Sequence, residues 1–227
     1  AVAGGRAPRP RGGGAAGGRP PPAPRAGGAP GSIAFSPDGR LLAVAAVERG
    51  TDIRDVRTGR LVRRLGIGDL SGEGDFSRSV AFSPDGELLF VGQYDGRGQL
   101  YSTDTWQRVG QPLEGHTGRI TFPEFSPDGR MLVTAAADGT VRLWDVPTQK
   151  PIGSALELEP NTFASVALRP DGARLFAIST RGRGISFDLS PGAWKRHACR
   201  VAGRELSARE WEETLPQRPY RAVCSGG

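Results

Sequence analysis

One pentapeptide constrains this chain more than any other feature. Phe35-Ser36-Pro37-Asp38-Gly39 returns as Phe82-Ser83-Pro84-Asp85-Gly86, as Phe125-Ser126-Pro127-Asp128-Gly129, and more loosely as Leu168-Arg169-Pro170-Asp171-Gly172. The spacings are 47, 43 and 43 residues. Self-similarity at that period, with only short apolar runs between, marks a stacked array whose unit is one supersecondary block. Within each unit proline presets φ at the first central turn position, aspartate favours the next, and glycine accepts the positive φ that closes a hairpin. Asp38, Gly39, Asp85, Gly86, Asp128, Gly129, Asp171 and Gly172 are therefore read as turn residues, not as carboxylates held for chemistry. Each turn is followed by a small, apolar strand: 41–46, 88–92, 131–136 and 174–179. Apolar side chains at both parities predict a strand covered on both faces, as when one sheet packs between two others. A second turn leads to a third strand, clearest in the run Asp138-Gly139-Thr140-Val141-Arg142-Leu143-Trp144-Asp145.

Gly115-His116, the Asp138-Gly139 turn and Trp144-Asp145, with Thr134 in the strand between, closely resemble the WD40 repeat family. The resemblance implies an all-β fold, a WD40 β-propeller with four blades at about 31–70, 76–114, 115–158 and 160–190. Because propellers of this family usually have seven blades, it also implies that the four belong to a larger ring whose other blades lie N-terminal, or that the chain is a degenerate fragment of such a ring. In that family the side chains matching His116, Thr134, Asp138 and Trp144 form a hydrogen-bonded relay inside the blade, pairing polar groups that would be costly to bury alone. The Trp-Asp position reads Arg54-Asp55, Tyr101-Ser102 and Phe187-Asp188 in the other repeats, so no relay is expected there. Pro123 falls in the first strand of the third blade, at an edge that tolerates a missing N–H. After Leu189 the chain passes straight into Ser190-Pro191-Gly192, so the last blade is expected to lack its outer strand and to leave an edge open.

Both ends of the chain differ from the repeats. Residues 1–30 hold only Ala, Val, Gly, Pro and Arg, a composition that builds no core. Arg6, Arg9, Arg11, Arg19 and Arg25 lie there, leaving 25 basic against 24 acidic residues in the remainder. The basic pI of about 10.1 thus describes an arm and not a folded basic face, and specific nucleic-acid binding is not expected. Lys150 and Lys195 are the two lysines among 30 basic residues, a bias toward GC-rich codons.

From Trp194 the pattern becomes helical, with Ser207-Ala208-Arg209-Glu210 at capping-box spacing, so 191–227 reads as a short helical C-terminal extension. Its order of Trp, Ala-Cys, Ala-Gly-Arg, Glu-Trp, Leu-Pro, Pro-Tyr and Cys resembles the tail that closes many actinobacterial WD40 proteins. Cys199 and Cys224 recur in that tail and could be bridged. In a cytosolic protein two free thiols are the ordinary state, and that is the preferred reading.

No catalytic constellation stands out. His116 and His197 are the two histidines, and with two distant cysteines they give no zinc spacing. Gly12-x-Gly14-x-x-Gly17 fits a dinucleotide fingerprint by letters alone, without the strand that should precede it. No cofactor, metal or catalytic residue is expected, and no apolar run approaches the ~20 residues of a membrane span. The chain starts at Ala1 without a leader pattern, so it reads as a fragment with a cytoplasmic location by default. The expected function is a non-catalytic protein–protein interaction scaffold, the docking or sensor end of a bacterial signalling protein. Two alternatives stay open: the regulatory C-terminus of a STAND/NACHT-type NTPase or kinase whose catalytic domain lies upstream, and a TolB-like or enzymatic propeller.

Overall fold

The computed structural model describes residues 30–46, 50–65, 77–160, 162 and 164–190, with 192, 193, 196, 199, 200, 207, 209, 210 and 224 of the tail. The arm at 1–29 and most of the two helices expected after 191 lie outside the described residues.

Four antiparallel sheets follow one another along the chain. The first holds β1 (Pro30–Phe35), β2 (Leu41–Ala46), β3 (Gly50–Asp55) and β4 (Leu61–Leu65) in sequential order. The second holds β5 (Ser77–Phe82), β6 (Leu88–Gln93), β7 (Gly98–Ser102) and β8 (Arg108–Leu113). The third runs β9 (Ile120–Phe125), β10 (Met131–Ala136), β11 (Thr140–Asp145) and β12 (Lys150–Pro151), with β13 (Leu156–Glu157) also on β11. The fourth holds β14 (Ala164–Leu168), β15 (Arg174–Ser179) and β16 (Gly184–Asp188), with no fourth strand among the described residues. Pro123 sits on β9, the edge of its sheet, where its missing N–H breaks no ladder.

Strand register decides which junction each side chain enters, because directly paired residues share a face. At the first junction Ala43, Ala45 and Ile53 pack against Val80, Leu89, Val91 and Tyr101. One position along, Phe90 and Leu100 turn to the other side and meet Phe125, Leu132 and Trp144. The third junction repeats this with Val133, Ala135 and Leu143 against Leu175 and Ala177. Each second strand thus sends alternate residues backward and forward. Fully burying one such large side chain is worth about 1.5–3 kcal/mol.

Polar stitches join the inner strands of neighbouring sheets. The Ser32 hydroxyl accepts the Val80 N–H at 2.9 Å, and the Ser79 hydroxyl donates to the Ile120 carbonyl at 2.9 Å. The Leu168 N–H donates to the Glu124 carboxylate at 3.0 Å. Half-buried, Glu124 is raised above its ordinary pKa by desolvation, which this N–H only partly offsets.

Candidate functional site

Every first strand begins on the rim where the second strand ends, so one rim carries the Pro-Asp-Gly turns and the opposite rim carries the 94–97, 114–119, 137–139 and 180–183 loops. The Pro-Asp-Gly rim is self-satisfied. Ser36, Ser83 and Ser126 donate to Asp38, Asp85 and Asp128 at 2.5–2.6 Å, and the same hydroxyls accept the N–H of Leu41, Leu88 and Met131. Those serine hydroxyls, with backbone N–H groups, hold the three carboxyls below their ordinary range. In the fourth repeat Arg169 replaces serine and ion-pairs with Asp171, whose pKa is lowered to about 2. Carboxylates spent on their own turns have little left for a ligand.

The opposite rim is organised from inside the third sheet. Trp144 Nε1 donates to the Thr134 hydroxyl at 2.8 Å, and His116 Nε2 lies 2.8 Å from the same oxygen. His116 Nδ1 faces Asp138 at 3.1 Å and the Thr140 hydroxyl at 3.0 Å. One tautomer satisfies all of these: Thr134 donates to Nε2, and Nδ1–H donates to Asp138. Desolvation alone would raise the Asp138 carboxyl, but hydrogen bonds from His116, Thr140 and the Thr117 N–H outweigh it and hold the group well below the aspartate range.

The result is a fixed loop. Thr117 and Asp138 tie the 116–119 segment to the β10–β11 turn, and the Ala137 N–H donates to the Arg119 carbonyl at 3.0 Å. Gly96 fits beneath it with φ +91°, where an added Cβ would stand 2.4 Å from the His116 carbonyl oxygen. Arg119 therefore reaches back to the second sheet. Its guanidinium lies 5.2 Å from the Tyr94 ring centroid and donates to the Tyr94 hydroxyl at 3.0 Å. Tyr94 is 46% exposed, so aromatic surface faces solvent beside the arginine stacked on it.

A family model described as "WD domain, G-beta repeat" matches residues 67–102 and 107–145. The chain carries WD40 repeats. The matched segments take in the second and third sheets, whereas the relay side chains occur together in the third alone: at the Thr134 position the other sheets have Val44, Val91 and Ala177. Solved structures matching this WD40 chain run to 1409 chains. One is the crystal structure of the computationally designed Ika4 protein, with a TM-score of 0.60 and 21% identity, covering 72% of this chain and 93% of that one. The likeness is one of fold. No curated protein matches the chain.

Two expectations about the WD40 tail meet described residues. Cys199 and Cys224 are disulfide-bonded, with Cα atoms 5.5 Å apart, so the free thiols preferred from the sequence give way to a bridge. The tail brings the two Cα atoms within the range a disulfide spans, which their separation of 25 residues in sequence does not reveal. Ser207 and Glu210 form the reciprocal cap their spacing anticipates: the Ser207 N–H donates to Glu210 at 2.9 Å and the Glu210 N–H to Ser207 at 3.3 Å. Among the described residues no three His, Cys, Asp or Glu side chains gather as metal ligands, and no helix is long and apolar enough to cross a membrane.

The Tyr94–Arg119 pair was not singled out in the sequence. Its partners lie 25 positions apart on different blades, and neither belongs to a motif.

Proposed function

We propose that this chain is a non-catalytic docking scaffold that grips a protein partner through the rim bearing Tyr94 and Arg119. The observation that carries this reading is the exposed Tyr94 ring beneath a guanidinium whose loop is pinned by the relay. Aromatic and arginine side chains dominate the energetics of protein interfaces, and a prefixed pair loses little entropy when a partner lands. WD40 repeats generally serve as interaction scaffolds, which agrees. The finer reading is the docking end of a bacterial regulatory protein, supported by the resemblance of the tail to actinobacterial members. A cytoplasmic setting belongs to that reading, and the Cys199–Cys224 bridge pulls against it, because disulfides persist in oxidising compartments.

The test is site-specific photo-crosslinking in the source cells, with benzoylphenylalanine at Tyr94 or at Val56. Val56 is 39% exposed on the opposite rim. A discrete protein adduct from position 94 and none from 56 is the expected result. Equal adducts from both positions, or none from either, would overturn the assignment of the rim.

A further inference from the structure

The register that builds the three junctions also exposes two half-junctions. Phe82, Phe125 and Leu168 end the first strands of the second, third and fourth sheets, and each packs backward into the preceding sheet. The same position in the first sheet is Phe35, which is 58% exposed, with Ile33 on the same face at 61%. At the other end, Phe90 and Val133 project forward from the second strands of their sheets and are fully buried. The matching residue of the fourth sheet is Phe176, 48% exposed, with Ile178 at 52%. A shallow cavity of about 490 Å³ runs over this face, lined by Ser165, Ala167, Phe176, Ile178 and Ser186 among others.

The polar stitches carry the same message. Ser32 and Ser79 occupy one position of the first strand, and each bonds the backbone of the following sheet. Ser165 holds that position in the fourth sheet, and its hydroxyl makes no hydrogen bond among the described residues. Apolar and hydrogen-bonding parts of a junction are thus present twice, once as a forward face and once as a backward face.

We propose that two copies of this chain dock head to tail, the β14–β15 face of each closing on the β1–β2 face of the other. The second copy is the occupant because it brings both halves in the register that the three internal junctions already use. Ser165 then finds the inner-strand backbone around Pro30–Ile33, as Ser79 finds Ile120, while Phe176 and Ile178 meet Ile33 and Phe35. Two junctions per pair close a ring of twice four sheets, and a closed ring leaves no open sheet face to polymerise. This inference does not depend on the Tyr94–Arg119 rim.

Sedimentation velocity on the full 227-residue chain, from about 1 to 100 μM, tests it, with Phe35→Asp, Ile178→Asp and an equimolar mixture of the two. The wild type is expected at twice the 24.0 kDa chain mass. Either exposed-face variant places a charge in both junctions and shifts the species to monomer, with at least about a tenfold loss of affinity. The mixture restores a dimer, because one of its two junctions then carries neither substitution. Far-UV and near-UV spectra matching wild type show that each variant remains folded. A wild-type monomer throughout would overturn the proposal and assign the faces to other sheets, a ladder of open polymers would overturn ring closure, and dissociation by only one variant would mean a face-to-face dimer.

Discussion

Trp144 and Thr134 are diagonal neighbours on one face of the β10–β11 pair, and the indole N–H donates to a hydroxyl that His116 Nε2 also contacts. Trp144 is 2% exposed and Thr134 is fully buried, so neither group can turn to water. The oxygen of Thr134 is the point through which the core of the third sheet holds the rim loop.

Replacing Thr134 by valine keeps the shape and removes that point. His116 Nε2 and the Trp144 N–H would both be left buried without partners, at about 1–3 kcal/mol each. Thr134→Val is expected to cost about 3 kcal/mol, or roughly 6–12 °C in Tm for a domain of this size. Trp144→Phe, which deletes the donor along with its acceptor's need, should cost nearer 1 kcal/mol from hydrogen bonding. Calorimetry on Thr134→Val beside Thr134→Ser, which keeps the hydroxyl, separates the pairing from the packing, and a serine variant no more stable than the valine one would contradict the pairing.

Gly96 separates backbone strain from collision. Gly39 sits at φ +69° with nothing near an added Cβ, so Gly39→Ala should lose only the ~1–2 kcal/mol of a left-handed alanine. Gly96→Ala adds a clash with the His116 carbonyl and should lose clearly more, displacing Arg119 from Tyr94. The readouts are Tm and the tyrosine ring shifts by NMR. Equal stability losses would mean that the second and third sheets are less tightly joined at this rim.

Acid should weaken the fold through Asp138. Its native pKa lies below the unfolded value of about 3.9, so the unfolded chain takes up a proton first as the pH falls. This contribution is complete above the unfolded pKa and is lost progressively below it. Asp138→Asn should be less stable at pH 7 and should show a shallower fall in Tm between pH 5 and pH 3, read from parallel melts.

Glu124 works with the opposite sign. Its native pKa is raised, so its contribution is complete below the unfolded value and is lost as the pH climbs through the native one. Glu124→Gln keeps an oxygen for the Leu168 N–H and removes the half-buried charge. Its Tm relative to wild type should be higher at pH 7 than at pH 4. A difference independent of pH would show that the carboxylate is fully solvated.

The central strands were legible because two-sided burial writes apolar residues at both parities: β2, β10 and β15 occupy the stretches 41–46, 131–136 and 174–179. The outer strands β4 and β8 were not. Leu61, Val62 and Arg108 are exposed and burial is concentrated at the strand ends, Leu65 and Leu113, so no alternating period was imposed. A usable signal was present in the turns that lead to the outer edge. Asp55 accepts the N–H and hydroxyl of Thr58, and Asp145 accepts those of Thr148, a repeated Asp-x-x-Thr. The relay residues could be named from their resemblance to a repeat, but the arginine they position could not, because its contact crosses between blades.

The most direct measurement is the affinity of the crosslinked partner, once purified, for the wild type and for Arg119→Ala, with melts of both proteins alongside. The docking role predicts a loss of about tenfold or more in affinity from a variant that still melts cooperatively. Arg119 is half-buried at the rim against Tyr94, and its removal takes away a contact surface before it takes away the fold. An unchanged affinity would contradict the assignment of this rim as the docking site.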